Sequence, residues 1–147
     1  MSTFLESHER FFMAWAPVFI YAGVIFTLSS LSYPLPFLEP MQRSVQDWIL
    51  HILEYTILGI LLARGLCVTF TEQPIVLYIA LGTLLGTLYG LSDELHQSIV
   101  PLRQASPYDA AADAVGTFLG TTIWGVILKG IRIKQAQAPK GFHQWQL

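Results

Sequence analysis

The 147-residue chain is 53% hydrophobic and only 12% charged, and its mean hydropathy is +0.51. Soluble domains carry roughly 25% charged residues, so this composition excludes an ordinary soluble fold and favours a membrane protein, with room for four spans and no second domain. The net charge of −2 excludes the broad basic surface that nucleic-acid binding requires, and the single cysteine, Cys67, excludes a disulfide scaffold.

Four apolar segments predict four membrane-spanning helices. The first covers about residues 11–30, and the glutamates that precede it are unlike the basic start of a cleavable signal peptide. Three prolines in residues 31–46 predict an irregular connector. The other helices are predicted over about 47–66, 74–92 and 109–128, and a basic tail follows over 129–147.

Glycines recur at four-residue spacing in the last two spans. Gly82, Gly86 and Gly90 share one face of the third helix, and Gly116 and Gly120 share one face of the fourth. Small residues at this spacing let helix backbones approach closely in lipid. The third and fourth helices are therefore predicted to form a close pair, and the same glycine-rich faces are also suited to a homo-oligomer.

The basic residues predict the orientation, because Lys and Arg near span ends favour the cytoplasm. With four spans both termini share one side. That side carries Arg10, Arg64, Lys129, Arg132, Lys134 and Lys140, whereas the other carries only Arg43 and Arg103. The prediction is an all-α, polytopic membrane protein with four transmembrane helices and both termini cytoplasmic.

This orientation brings acids and histidines together near the outer face. The set comprises Asp47, His51, Glu54 and Tyr55 from the second helix, Asp93, Glu94, His96 and Gln97 from the third, Arg103 and Ser106 from the next loop, and Asp109 and Asp113 from the fourth. Ionisable groups within spans are rare and by default suggest a functional site. The sequence therefore predicts an outward-facing polar pocket.

Several of these residues also have a purely structural interpretation. Asp109 and Ser106 are suited to capping the fourth helix, since side-chain oxygens there accept hydrogen bonds from free amides. His51 is suited to bridging two helices by hydrogen bonds, and Arg103 to neutralising one of the carboxylates. These interpretations leave two histidines and up to six acids at one depth poorly explained.

The catalytic candidates are His96, Asp93, Glu94 and His51, because histidine titrates near neutral pH and a carboxylate orients an imidazole. Arg103 is predicted to bind a phosphate oxygen, and the further binding candidates are Gln97, Asp109, Asp113, Asp47, Tyr55 and Ser106. Asp93, Glu94 and His96 are the candidate metal ligands. Their donor set suits a divalent cation, which the sequence does not require, and neither HExxH nor GxSxG occurs.

Residues 91–120, LSDELHQSIVPLRQASPYDAAADAVGTFLG, resemble the VanZ-like family of bacterial membrane proteins. That family has an Asp-Glu-x-His-Gln element closing a membrane helix, then an arginine, a serine, an aspartate and a glycine-bearing helix. The matching positions here are Asp93, Glu94, His96, Gln97, Arg103, Ser106, Asp109, Gly116 and Gly120, with Asp47, His51, Tyr55 and Gly59 in the second helix and Ser29 and Ser30 closing the first. The likeness spans about residues 11–128, and it departs at Asp113, where many relatives carry Asn.

The family takes its name from a protein associated with resistance to teicoplanin, a glycopeptide that targets lipid-linked cell-wall precursors. The resemblance thus implies a cell-envelope role in the bacterial cytoplasmic membrane, with the site extracytoplasmic and a membrane lipid or lipid-linked precursor as partner. It implies no particular reaction. The first hypothesis is an enzyme acting on such a headgroup. The alternatives are a non-catalytic protein that binds or shields the headgroup, with Arg103, Gln97 and Tyr108 in contact, and a small proton-linked transporter that uses His51 and Glu54.

Overall fold

The computed structural model describes residues 2–31 and 47–137, with side chains over 8–31 and 48–137. The described residues form four helices: α1 (Ser2–Ser29), α2 (Asp47–Thr69), α3 (Ile75–Gln97) and α4 (Pro107–Gln137). All four are long and apolar enough to cross a membrane. The predicted all-α fold with four spans is confirmed, and the chain is a multi-pass membrane protein.

α1 begins earlier than predicted, at Ser2, and the other three helices extend beyond their predicted ends, α2 as far as Thr69. α3 continues to Gln97, so its polar residues are helical, and α4 continues to Gln137, so the predicted tail begins as helix. Residues 129–137 contain strong helix formers, and Arg132 among them donates hydrogen bonds of 3.1 and 3.2 Å to the carbonyl of Gln73. Residues 32–46 of the predicted connector and the remainder of the tail lie outside the described residues.

The four helices alternate in direction. Ser29 at the end of α1 contacts Asp93 near the end of α3, while His51 near the start of α2 contacts Asp113 near the start of α4. The ends of α1 and α3 and the starts of α2 and α4 therefore lie together, at what we call the site end. The other end of the bundle is called the opposite end.

Large apolar side chains point outward along the bundle. Phe19 is 70% exposed, Val76 72% and Leu95 72%, as expected for surfaces that face lipid. The interior is built around a cluster of buried residues, Val18, Ile25, Tyr55, Leu58 and Leu62, and a second cluster nearer the opposite end, Leu66, Tyr78 and Leu128.

α2 and α4 make the most extensive contact in the bundle. A Cβ on Gly116 would lie against the carbonyl oxygen of Ile52, and one on Gly120 against that of Thr56. These positions require glycine because backbone packs on backbone. The glycines of α4 thus pack against α2, which the glycine spacing alone does not indicate.

α3 packs on a different face of α4. Its glycines meet side chains of α4, with Gly82 against Thr121, Gly86 against Thr117 and Gly90 against Asp113. The predicted contact between the third and fourth helices is therefore present. α4 lies between two partners, and this arrangement brings Asp113 into contact with both.

Candidate functional site

The His51–Asp113 pair is the innermost part of the site. Asp113 is 0% exposed, and its Oδ1 lies 2.8 Å from Nδ1 of His51 across the α2–α4 contact. An ionised carboxylate only accepts hydrogen bonds, so with Asp113 ionised Nδ1 is the donor, and a neutral imidazole then has its lone pair on Nε2. The hydrogen bond fixes the orientation of the ring.

Glu94 and Asp109 are placed by the start of α4. Pro107 occupies the first turn, and the Ser106 hydroxyl accepts a 3.3 Å hydrogen bond from the Asp109 amide, the usual capping bond. In a capping box the acid at the third helical position binds the amide of the capping residue. Here the Ser106 amide donates its hydrogen bond to Oε2 of Glu94 instead, at 2.7 Å. The Asp109 carboxylate is therefore not used for capping.

His51, Glu94 and Asp109 come together at the site end. One potential ligand atom from each residue lies within 4.8 Å of those from the other two. With Nδ1 bonded to Asp113, the imidazole would bind a metal through Nε2. A carboxylate on the far nitrogen of a ligand histidine is a common arrangement in protein metal sites, where it orients the ring and raises its basicity.

The surroundings contain more negative groups than positive ones. Buried oxygens without a hydrogen-bond partner include Oδ1 of Asp93, Oε1 of Glu94 and Oδ2 of Asp113, together with the hydroxyl of Tyr55. Buried polar groups are normally paired, and buried charge is compensated by a counter-ion, a metal or a proton. A divalent cation beside Glu94 would supply such compensation, and two carboxylates with one imidazole suit magnesium, manganese or calcium.

A second polar cluster joins α3 to α1. Asp93 Oδ2 accepts hydrogen bonds from the Ser29 hydroxyl at 2.7 Å and from Nε2 of Gln97 at 3.0 Å, and all three side chains are buried. The ring of His96 stacks on Phe26 at a centroid distance of 4.5 Å, and its Nε2 lies 3.0 Å from the Ser30 hydroxyl. These contacts connect two helices.

The structure does not bring the predicted metal set of Asp93, Glu94 and His96 together. Adjacent helical residues point about 100° apart, so Asp93 and Glu94 cannot face the same neighbour. Asp93 and His96 face α1, whereas Glu94 faces α2 and α4. Among the described residues, the three-ligand group combines Glu94 with His51 and Asp109.

The other predicted site residues lie around this centre. Arg103 is half-buried and donates a 3.3 Å hydrogen bond from Nη2 to the carbonyl of Leu28, and its Nε is buried without a partner. Tyr55 is fully buried one turn below His51, with its ring 6.3 Å from that of Tyr89. The side chain of Asp47 lies outside the described residues.

An apolar groove opens beside the centre, on the outside of the α2–α4 contact. Its volume is about 610 Å³, and it is lined by Trp48, Ile52, Tyr108, Asp109, Ala111, Ala112 and Val115. Asp109 thus belongs to the groove and to the three-ligand group. The groove connects that group with the outer, lipid-facing surface of the bundle.

Comparison with protein-family models, with curated proteins and with solved structures gave no match.

Two features of the site are absent from the sequence prediction. The pairing of His51 with Asp113 joins residues 62 positions apart, and only the rotation of α4 against α2 brings them together. The apolar groove involves Trp48 and Val115, which look like ordinary lipid-facing residues in the sequence. A sequence signal did exist for the division of Asp93 from Glu94, since neighbours in a helix diverge.

Proposed function

We propose that this chain binds a divalent cation at the His51–Glu94–Asp109 centre and uses it to act on the phosphate-bearing headgroup of an outer-leaflet lipid or lipid-linked envelope precursor. The observation that carries the proposal is the convergence of His51, Glu94 and Asp109, whose potential ligand atoms lie within 4.8 Å of one another, together with the bond from Nδ1 of His51 to the buried carboxylate of Asp113.

Each residue has a distinct task in this proposal. His51 binds the cation through Nε2, and Asp113 orients the ring without touching the cation. Glu94 is held in place by the Ser106 amide, and Asp109 contributes its carboxylate from the first turn of α4. When bound, the cation supplies Lewis-acid polarisation of a phosphoryl oxygen. Arg103 lies in the adjoining loop, where its guanidinium is suited to hold a second phosphate oxygen.

The groove favours a lipid as the substrate. A headgroup at Asp109 would leave its acyl or prenyl chain in the apolar groove, next to Ile52 and Val115. Tyr108 is 83% exposed at the edge of this groove, where an aromatic ring with a polar tip suits the membrane interface. A soluble substrate would gain nothing from this apolar lining.

Two sequence features support the proposed location of the site in the cell. The distribution of Lys and Arg favours an extracytoplasmic site end, and residues 91–120 resemble the VanZ-like family. Both support a role in the envelope of a bacterial cell, with teicoplanin resistance as the phenotype suggested by that resemblance.

The transporter hypothesis is less well supported by the packing. Thr117 and Thr121 continue inward from Asp113, but their hydroxyls bond to carbonyls of their own helix at 2.8 and 3.0 Å, and Gly82 and Gly86 press against them. Among the described residues this row of hydroxyls is tightly packed, so it offers no room for a water-filled path.

The test is turnover of defined lipids by purified protein in nanodiscs. The protein is incubated with phospholipids and lipid-linked precursors, with Mn²⁺ or with chelator, and the products are identified by mass spectrometry. We expect a product that depends on Mn²⁺ and disappears in Glu94→Gln and Asp109→Asn. Glu72→Gln is the matched control, since it neutralises an exposed carboxylate at the opposite end of the bundle.

Two results would decide against the proposal. Retention of a lipid without any product would replace catalysis by the headgroup-binding alternative. Turnover that is unaffected by chelator and by both variants would remove the cation from the mechanism.

A further inference from the structure

A second cavity lies at the opposite end of the bundle, between α1, α2 and α4. Its volume is about 360 Å³, and its polar lining comprises Arg10, Arg64, Thr69, Thr71 and Trp124. Ligand pockets begin at about 300 Å³, so this cavity is large enough for a small polar group. No carboxylate is among the described residues that line it.

Arg64 gives the cavity its charge. Pro17 lacks an amide hydrogen, so the carbonyl of Met13 loses its usual partner within α1, and Nη1 of Arg64 donates to it at 3.4 Å and to the carbonyl of Ala14 at the same distance. These long bonds involve one of the three guanidinium nitrogens. Arg64 makes no salt bridge within the described part of the chain, although a half-buried guanidinium in a membrane bundle requires a counter-ion.

The indole of Trp124 provides a second donor. Its Nε1 is buried and has no hydrogen-bond partner, and the residue lines the same cavity from α4. The Thr69 hydroxyl is engaged, since it accepts from Trp15 at 2.8 Å and donates to the carbonyl of Gly65 at 2.9 Å. The Trp124 indole N–H therefore lacks an acceptor, and the described lining is basic rather than acidic, which is the opposite of the site end.

We infer that this cavity binds the phosphodiester group of an anionic phospholipid from the leaflet at the opposite end. A phosphate oxygen would accept hydrogen bonds from the Arg64 guanidinium and from the Trp124 indole N–H. Arg10 would add a second positive charge. Phe11 and Val68 line the same cavity, which suits the glycerol and upper chain region of a lipid rather than a fully hydrated ion. Basic pockets between membrane helices are a known way of binding anionic headgroups.

Charges of both signs lie close to this cavity. Arg132 lies in an adjoining groove that shares Cys67 and Thr71 with the cavity, and Glu72 is the one carboxylate in that groove. Glu72 is exposed, so water screens it better than it screens Arg64.

The experiment is native mass spectrometry of the detergent-solubilised full-length protein, titrated with phosphatidylglycerol, with phosphatidylcholine or with inorganic phosphate. We expect one phosphatidylglycerol to be retained in preference to phosphatidylcholine, and inorganic phosphate not to displace it. Trp124→Phe keeps an aromatic side chain, although a smaller one, and removes the indole N–H, so it should lower the affinity about fivefold to tenfold. Arg64→Gln should lower it at least about tenfold.

Lys129→Gln is the matched control, because it removes an exposed positive charge from the same end without touching the cavity. It should leave the affinity within about twofold, since exposed charges contribute little. An equal loss in Lys129→Gln would reveal diffuse attraction and overturn the site. Displacement by inorganic phosphate would identify a free ion as the ligand, and unchanged binding by Trp124→Phe would overturn the assignment even if Arg64→Gln fails to fold.

Discussion

Replacing Gly90 with alanine tests the site from a helix that supplies no part of the His51–Asp113 pair. A Cβ at this position would lie 2.8 Å from both Cβ and Oδ2 of Asp113, whereas ordinary contact begins near 3.4 Å, so the carboxyl must move by about 0.6 Å. The bond from His51 to Asp113 is 2.8 Å long. Because N–H···O bonds have lengths of about 2.7–3.2 Å, a shift of this size along the bond takes it outside that range.

The magnitude follows from three contributions. Overpacking a buried position costs about 1–3 kcal/mol, loss of a hydrogen bond to a charged group about 1.5–3 kcal/mol, and the better helix propensity of alanine returns about 1 kcal/mol. We expect Gly90→Ala to lower the free energy of unfolding in detergent by about 1.5–5 kcal/mol. Loss of the oriented ring should also weaken Mn²⁺ binding, measured by electron paramagnetic resonance, by about 10–100-fold.

Gly23→Ala is the control, because a Cβ there meets nothing within 4 Å and the residue is exposed. It should be neutral or stabilise the protein by up to about 1 kcal/mol. A folded Gly90→Ala protein with wild-type Mn²⁺ affinity would refute the role of Asp113 in orienting the ring. An equal loss of stability in both variants would refute the packing argument.

Three further predictions address the two polar clusters, the turn between α2 and α3, and the orientation. Asp109→Asn should weaken Mn²⁺ binding more than about tenfold, because Asp109 belongs to the three-ligand group. Asp93→Asn should weaken it less than about threefold, because Asp93 bonds to α1 instead. The reverse order would indicate that the cluster facing α1 is the metal site. Tyr78→Phe should lower the free energy of unfolding in detergent by about 1–3 kcal/mol, because the buried hydroxyl joins the Gln73 amide to the Phe70 carbonyl; an unchanged unfolding curve would contradict this. In a Cys67→Ser background, an impermeant maleimide applied to intact cells should label Ser98→Cys and spare Lys129→Cys, and the opposite pattern would place the site end in the cytoplasm.

The arrangement of α4 explains why two glycine faces are needed. Gly116 and Gly120 let α4 contact the backbone of α2, while Gly90 admits the Asp113 side chain on the α3 side. Asp113 is thus enclosed by three helices, and its bond to His51 is shielded from water. Shielding strengthens a hydrogen bond and makes loss of either partner more damaging.

The sequence by itself determined the membrane-embedded character, the four helices and the gathering of acids and histidines at one end of the bundle. These properties depend on hydropathy over about 20 residues and on the alternation of spans, both of which are readable along the chain. The structure confirms the four helices and shows His51, Glu94, Asp109 and Asp113 at the same end. Their cytoplasmic or external side, and the chemistry they perform, remain predictions.

Only the tertiary structure decided which of those side chains meet. Asp93 and Glu94 are adjacent in the chain, yet one faces α1 and the other faces α2 and α4, and Asp109 joins His51 because Glu94 has taken the amide of Ser106. The physical reason is that periodicity gives the relative directions of residues within one helix. The rotation of each helix about its axis is set instead by the contacts between helices, as where Gly116 meets the backbone of α2.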